Sequence, residues 1–118
     1  MICIIESLKV DSIESEKIFR HYKKLIVNYN PIGTKTLFFI MFYTGENFSG
    51  WWDKYKIYME GELEGRFRDH SSLRNKYSTK EIKDVISHYN AVKVLEHYIL
   101  LDGDDLIVTN YAVNLRLK

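Results

Sequence analysis

From Lys54 to Arg68 the chain alternates between two kinds of position for fifteen residues. Tyr55, Ile57, Met59, Gly61, Leu63, Gly65 and Phe67 occupy the odd positions, and Lys54, Lys56, Tyr58, Glu60, Glu62, Glu64, Arg66 and Arg68 the even ones. Strand side chains point to opposite faces with period two, so the pattern predicts a β-strand with one face on a core and the other in water. A hairpin centred on Gly61 would oppose Lys56 to Arg66 and Lys54 to Arg68, and like charges across a ladder are destabilising. One long strand, bent at Gly61 or Gly65, avoids that conflict.

Elsewhere the periodicity changes. Residues 2–10 read as a strand. Ser12 is a candidate N-cap, and Ile18, Tyr22, Leu25, Ile26 and Tyr29 follow at helical spacing until Asn30-Pro31 stops the run. Leu37 to Tyr43 is apolar at every position, which predicts a strand covered on both sides or one whose outer face meets another molecule. A loop over 45–53 holds Phe48, Trp51 and Trp52. Ser78 and Glu81 have the spacing of a capping box, and Ile82, Val85, Ile86 and Tyr89 predict a second helix that Val92, Leu95 and Ile99 can extend. Asp102-Gly103-Asp104-Asp105 is a turn. A last strand alternates Ile107, Thr109, Tyr111, Val113, Leu115 and Leu117 with Asn110, Asn114 and Arg116.

These elements predict an α+β fold, a single domain over residues 1–118, in the order β-α-β-β-α-β. In that order the chain resembles the ferredoxin-like arrangement, which implies an antiparallel sheet with two helices on one face. The charged side of the 54–68 strand would then lie in the middle of the open sheet face, and the 37–43 strand would be an edge. A second copy of the chain would give that edge strand the cover its two apolar faces need, so a homodimer enters as an expectation.

Composition narrows the classes. Hydrophobic residues make up 46% and charged residues 28% of 118, which is ordinary for a globular domain of this length. The net charge of +1 exerts no general pull toward nucleic acid or membrane. Cys3 is the only cysteine, so no internal disulfide forms, in keeping with a reducing compartment. Glu6 follows the first apolar residues at once, unlike a secretory leader, and the longest apolar run is too short to span a bilayer. The expected location is cytoplasmic, with no membrane partner.

Catalytic and cofactor signatures do not emerge. His21, His70, His88 and His97 have no metal-ligand spacing with one another or with Cys3. No phosphate-cradling glycine loop or nucleophile elbow occurs. Glu60, Glu62 and Glu64 would share a strand face about 7 Å apart, a spacing that suits a solvated stripe answering neighbouring cations more than a metal site. The reading therefore expects no enzyme, no catalytic residue, no metal and no cofactor.

Two binding classes follow from what is left. The aromatic loop with Phe48, Trp51 and Trp52 adjoins Lys54, Lys56, Tyr58, Glu60, Glu62 and Glu64, which together suit a specific protein target. A small inhibitor that occludes its target sterically, such as a toxin-immunity protein or a phage or mobile-element anti-defence protein, is the leading expectation. The alternative is a nucleic-acid-binding regulator. Between Arg66 and Lys83 six basic residues face two acidic ones, with Arg66, Arg68, Arg74, Lys76 and Lys80 as the contacts. The C-terminal half resembles winged-helix patterning, with helices over 80–87 and 90–97 and a wing turning at Asp102-Gly103. Only Lys93 and His97 would serve as cations on that recognition helix, and the wing tip carries three aspartates.

Overall fold

Five strands and a helical layer follow one another in the computed structural model, which describes residues 4–28, 36–70 and 73–116. The elements are β1 (Ile4–Val10), α1 (Ser15–Lys23), β2 (Thr36–Tyr43), α2 (Phe48–Glu60), α3 (Glu62–Asp69), β3 (Tyr77–Val85), β4 (Val92–Leu101) and β5 (Asp104–Asn114). Helix α1 runs on as a π-helical turn over Lys24–Asn28. The single sheet has the order β1-β2-β5-β4-β3. β1 pairs with β2 and β2 with β5 in parallel, whereas β5-β4 and β4-β3 are antiparallel. The class is α+β as expected, but the sheet is mixed rather than antiparallel, and the element order departs from β-α-β-β-α-β.

The largest correction concerns Lys54 to Arg68, which is helical. Four of its seven odd positions, Tyr55, Met59, Leu63 and Phe67, are fully buried, and they are spaced by four. Four is a multiple of two, so a helical stripe was concealed inside an alternating pattern. Ile57, between two of them, is 70% exposed, and Tyr58, on the supposed polar face, is buried. The helix begins earlier, where Asn47 accepts a hydrogen bond from the Gly50 amide at 3.0 Å as N-cap. Thus Phe48, Trp51 and Trp52 belong to the first turns of α2, not to a loop. A bend at Gly61 separates α2 from α3.

The second predicted helix is also overturned, because residues 77–85 and 92–101 form an antiparallel strand pair. A register shift between Thr79 and Glu81 changes the phase of β3, so Tyr77 and Thr79 point inward on one side of the bulge and Ile82 on the other. The residues that suggested a helix lie after this bulge: Ile82 and Val85 are on opposite faces of β3, and Ile86 and Tyr89 are exposed beyond its end. The winged-helix pattern falls with the predicted helix, since residues 80–97 contain no helix. The Asp102-Gly103 turn is present and joins β4 to β5. Both residues have positive φ, 51° and 87°, as a two-residue hairpin turn matched to strand twist requires. Helix α1 starts at Ser15, three residues beyond the expected cap at Ser12. Cys3, the Asn30-Pro31 stop and Leu117 lie outside the described residues.

All three helices cover one face of the sheet. Tyr22 of α1 packs on Phe39 with ring centroids 4.8 Å apart, Trp51 of α2 on Tyr43 at 5.0 Å, and Phe67 of α3 on Tyr77 at 4.6 Å. The core between the layers is unusually aromatic, for Trp51, Trp52, Tyr55 and Tyr58 form a continuous series of ring contacts along α2. From the strands come Leu8 and Val10, Leu37, Phe39 and Met41, Leu95 and Ile99, and Leu106, Val108 and Ala112. The final strand thereby inverts its expected faces: Asn110 is fully buried, while Ile107, Thr109, Tyr111 and Val113 turn away from the helices.

Candidate functional site

The face without helices is the feature that asks for a function. Reading the ladders across places Ile5, Phe38, Thr109 and Glu96 on one level, Ile40, Tyr111 and Val94 on the next, and Phe42, Val113 and Val92 on a third. Ile107 and Tyr98 are paired on the level on the other side of Thr109 and Glu96. All these side chains share the open face, because residues two apart in a strand point the same way. Phe38 and Tyr111 stack on it with centroids 6.3 Å apart. The β2, β5 and β4 side chains are half-buried, and Ile5 at the edge is 54% exposed. A surface carrying four aromatic rings and a series of branched aliphatic residues is typical of recognition, not of solvation.

Charges on this face are few and balanced. Lys83 lies opposite Glu96, and Glu81 opposite Tyr98, in the β3-β4 ladder. Lys9 sits at the end of β1, and Lys80 bridges Asp105 at 2.9 Å. The charged surface expected in the middle of the open face is therefore replaced by an apolar one with a polar margin.

Beneath the sheet lies a closed polar network. Asn110 donates through Nδ2 to the Tyr22 hydroxyl at 3.1 Å and to the Val108 carbonyl at 3.1 Å, while its Oδ1 accepts from Tyr55 at 2.6 Å. Tyr22, already an acceptor, donates to Nδ1 of His97 at 2.8 Å. The His97 proton is thereby assigned to Nε2, which donates to Thr79 Oγ1 at 2.9 Å. Burial holds the neutral imidazole and pushes the His97 pKa down to about 3, and it raises the Tyr22 and Tyr55 hydroxyls well above their ordinary range. Every buried side-chain nitrogen and oxygen in the described core has a partner. The network has the character of a structural keystone, closed except at Thr79, which is partly exposed.

The side chains predicted for a partner are distributed differently. Phe48, Trp51, Trp52 and Tyr58 are core residues, with Trp51 Nε1 donating to the Ser12 carbonyl and the Tyr58 hydroxyl to that of Ser15. Their rings are spent on α2 packing and are not presented outward. Lys56 is held by Asp84 at 3.0 Å and Asp53 at 3.7 Å. Glu62 pairs with Arg66 and Glu64 with Arg68, each four residues along α3, and Arg66 also reaches Glu16 at 3.0 Å. Lys54 and Glu60 are exposed on α2. Helical geometry has thus dispersed the glutamate stripe. It has also paired much of the basic segment, leaving Arg74 and Lys76 exposed in the turn before β3.

Other titratable contacts are local. His21 Nδ1 lies 2.6 Å from Glu6 Oε1 at the α1-β1 junction, and Lys23 Nζ lies 3.3 Å from His70 Nε2. Among the described residues no group of three His, Cys, Asp or Glu side chains is arranged to hold a metal ion. No helix of the described residues is long and apolar enough to cross a membrane. The sequence did mark part of the open face, since the apolar run 37–43 had more hydrophobic positions than one covered side could use. Val94, Tyr98 and Tyr111 were missed because their strands were misassigned or turned over. Comparisons with protein-family models, with curated proteins and with solved structures return no match to this chain.

Proposed function

We propose that the chain is a small protein-binding inhibitor that occludes its target with the open face of the sheet. The observation that carries this reading is the half-buried apolar face, without helices over it, built by Phe38, Ile40 and Phe42 of β2, Tyr111 and Val113 of β5, and Val94 and Tyr98 of β4. A rigid sheet presents these side chains already ordered, so little conformational entropy remains to be lost on docking. Tyrosine and phenylalanine supply the contact area, and Lys9, Glu81, Lys83 and Glu96 can set register from the margin and from within. A toxin-immunity or anti-defence role fits a domain of this kind, whose recognition surface exceeds anything in it suited to chemistry.

The nucleic-acid alternative has weaker support. Four aromatics on an open sheet could stack bases, yet the face balances its cations with carboxylates, and Arg66, Arg68 and Lys80 are engaged in ion pairs. The test is affinity capture from a lysate of the cells that make the protein, with and without nuclease, using wild type, Ile40→Asp and Lys54→Ala. One stoichiometric protein should survive nuclease, disappear with Ile40→Asp and remain with Lys54→Ala. Capture indifferent to Ile40→Asp, or abolished by nuclease, refutes the reading.

A further inference from the structure

We infer that the open face has a second copy of this chain as its occupant when no target is present, packed face to face about a two-fold axis along β5. The inference rests on the reading of that face as a binding surface, and it names one partner. Five strands about 4.8 Å apart, seven to eleven residues long at about 3.3 Å per residue, present roughly 700 Å² before side-chain relief is counted. A standard interface takes about 800 Å² from each partner, so the face has the right size for one stable contact.

Symmetry supplies the second argument. β5 is the central strand, with β2 and β1 on one side and β4 and β3 on the other. A two-fold axis along β5 sets β2 of one copy over β4 of the other at the same ladder level. Phe42 then faces Val92, Ile40 faces Val94, and Phe38 faces Glu96, while Tyr111 meets its own symmetry mate. Large side chains are set against smaller ones at two of these three levels, as interdigitating sheet faces require. The same operation puts Lys83 over Ile5 and Glu96 over Phe38, so no like charges are opposed, and the two opposite charges are direct neighbours in the β3-β4 ladder, where they can neutralise each other under the apolar cover. An axis across the strands would instead set β2 on β2, ring against ring. An isologous contact of this kind is closed and stops at the dimer. Dimer and target complex use the same residues and exclude each other.

Sedimentation equilibrium from about 1 to 200 µM tests this with wild type, Ile40→Asp, Val94→Lys and an equimolar mixture of the two variants, each first shown to be folded by circular dichroism. Wild type should be dimeric at the upper end. Each variant alone should weaken association about 100-fold, because the introduced charge is buried with no opposite charge beside it, unlike Lys83 and Glu96, which are ladder partners. The mixture should recover a heterodimer, since the introduced carboxylate of one chain then faces the introduced ammonium of the other. A wild type that is monomeric at 200 µM overturns the dimer, as does association that both variants leave intact. Failure of the mixture to associate overturns the axis along β5. A monomeric wild type whose protein capture is nonetheless lost with Ile40→Asp would sink the dimer and keep the binding face. Retention of single-stranded oligouridylate by wild type, lost with Tyr111→Ala, would sink both.

Discussion

Lowering the pH should weaken this fold through one residue, His97. It is fully buried, and its pKa is pushed from the usual 6.5 down to about 3 by desolvation. Between those values the unfolded chain binds a proton that the folded chain refuses, so stability rises with pH across that window. The stabilisation is complete above pH 6.5 and is lost as pH falls toward 3. One proton corresponds to about 1.4 kcal/mol per pH unit, hence about 2 kcal/mol between pH 6.5 and 5 and up to about 5 kcal/mol by pH 3. Against the 5–15 kcal/mol typical of a domain, that is a large share. The measurement is urea unfolding at several values between pH 7.5 and 5, on wild type and on His97→Gln, which keeps neutral hydrogen-bonding capacity and cannot titrate. Carboxylates contribute equally to both proteins and cancel in the comparison. The wild-type slope should exceed the variant slope by nearly one proton below pH 6. Equal slopes, or a His97 imidazole resonance in the folded protein that titrates above pH 5, would refute the argument and with it the neutral tautomer assigned to the network.

Two further outcomes bear on the same architecture. Tyr55→Phe removes the 2.6 Å hydrogen bond to Asn110 Oδ1 and leaves a buried carbonyl unpaired, so urea unfolding should show a loss of about 1–3 kcal/mol; Tyr111→Phe on the open face should change stability by under about 0.5 kcal/mol. Gly103→Val forces a branched residue into φ 87° and should cost about 1–2 kcal/mol in the same assay, whereas Gly103→Asn should be nearly neutral.

Which parts were legible in the chain follows from how far each pattern is diagnostic. Helix α1 could be read because Ile18, Tyr22, Leu25 and Ile26 follow helical spacing with cations on the other side. β2 was legible as a strand, and the apolar residues in excess of one buried side, Phe38, Ile40 and Phe42, lie on the face without helices. The α2-α3 segment was misread because Tyr55, Met59, Leu63 and Phe67 satisfy both periods. The evidence that could have decided was electrostatic, since Glu62-Arg66 and Glu64-Arg68 are i,i+4 pairs that stabilise a helix and do nothing within a single strand. β3 was hidden because Ile86 and Tyr89, exposed beyond its end, complete a helical spacing with Ile82 and Val85. β5 kept its strand character but turned over, because the inward position at Asn110 is polar and its side-chain partners are Tyr22 and Tyr55, distant in sequence. Local patterning cannot register a partner 88 residues away.

The position of β5 has a consequence for the order in which the molecule can be assembled. It is the last of the described strands and the middle strand of the sheet, paired with β2 on one side and β4 on the other. While Asp104 to Asn114 are still inside a ribosome, β1-β2 and β3-β4 are two separate ribbons with nothing between them, and Asn110 is not yet there to close the tyrosine network. Half the ladder contacts of the central strand also span about 70 residues, which makes loop closure the slow event. The sheet therefore completes only after translation has passed its final strand, and until then the aromatic faces of both ribbons are open to whatever else is nearby.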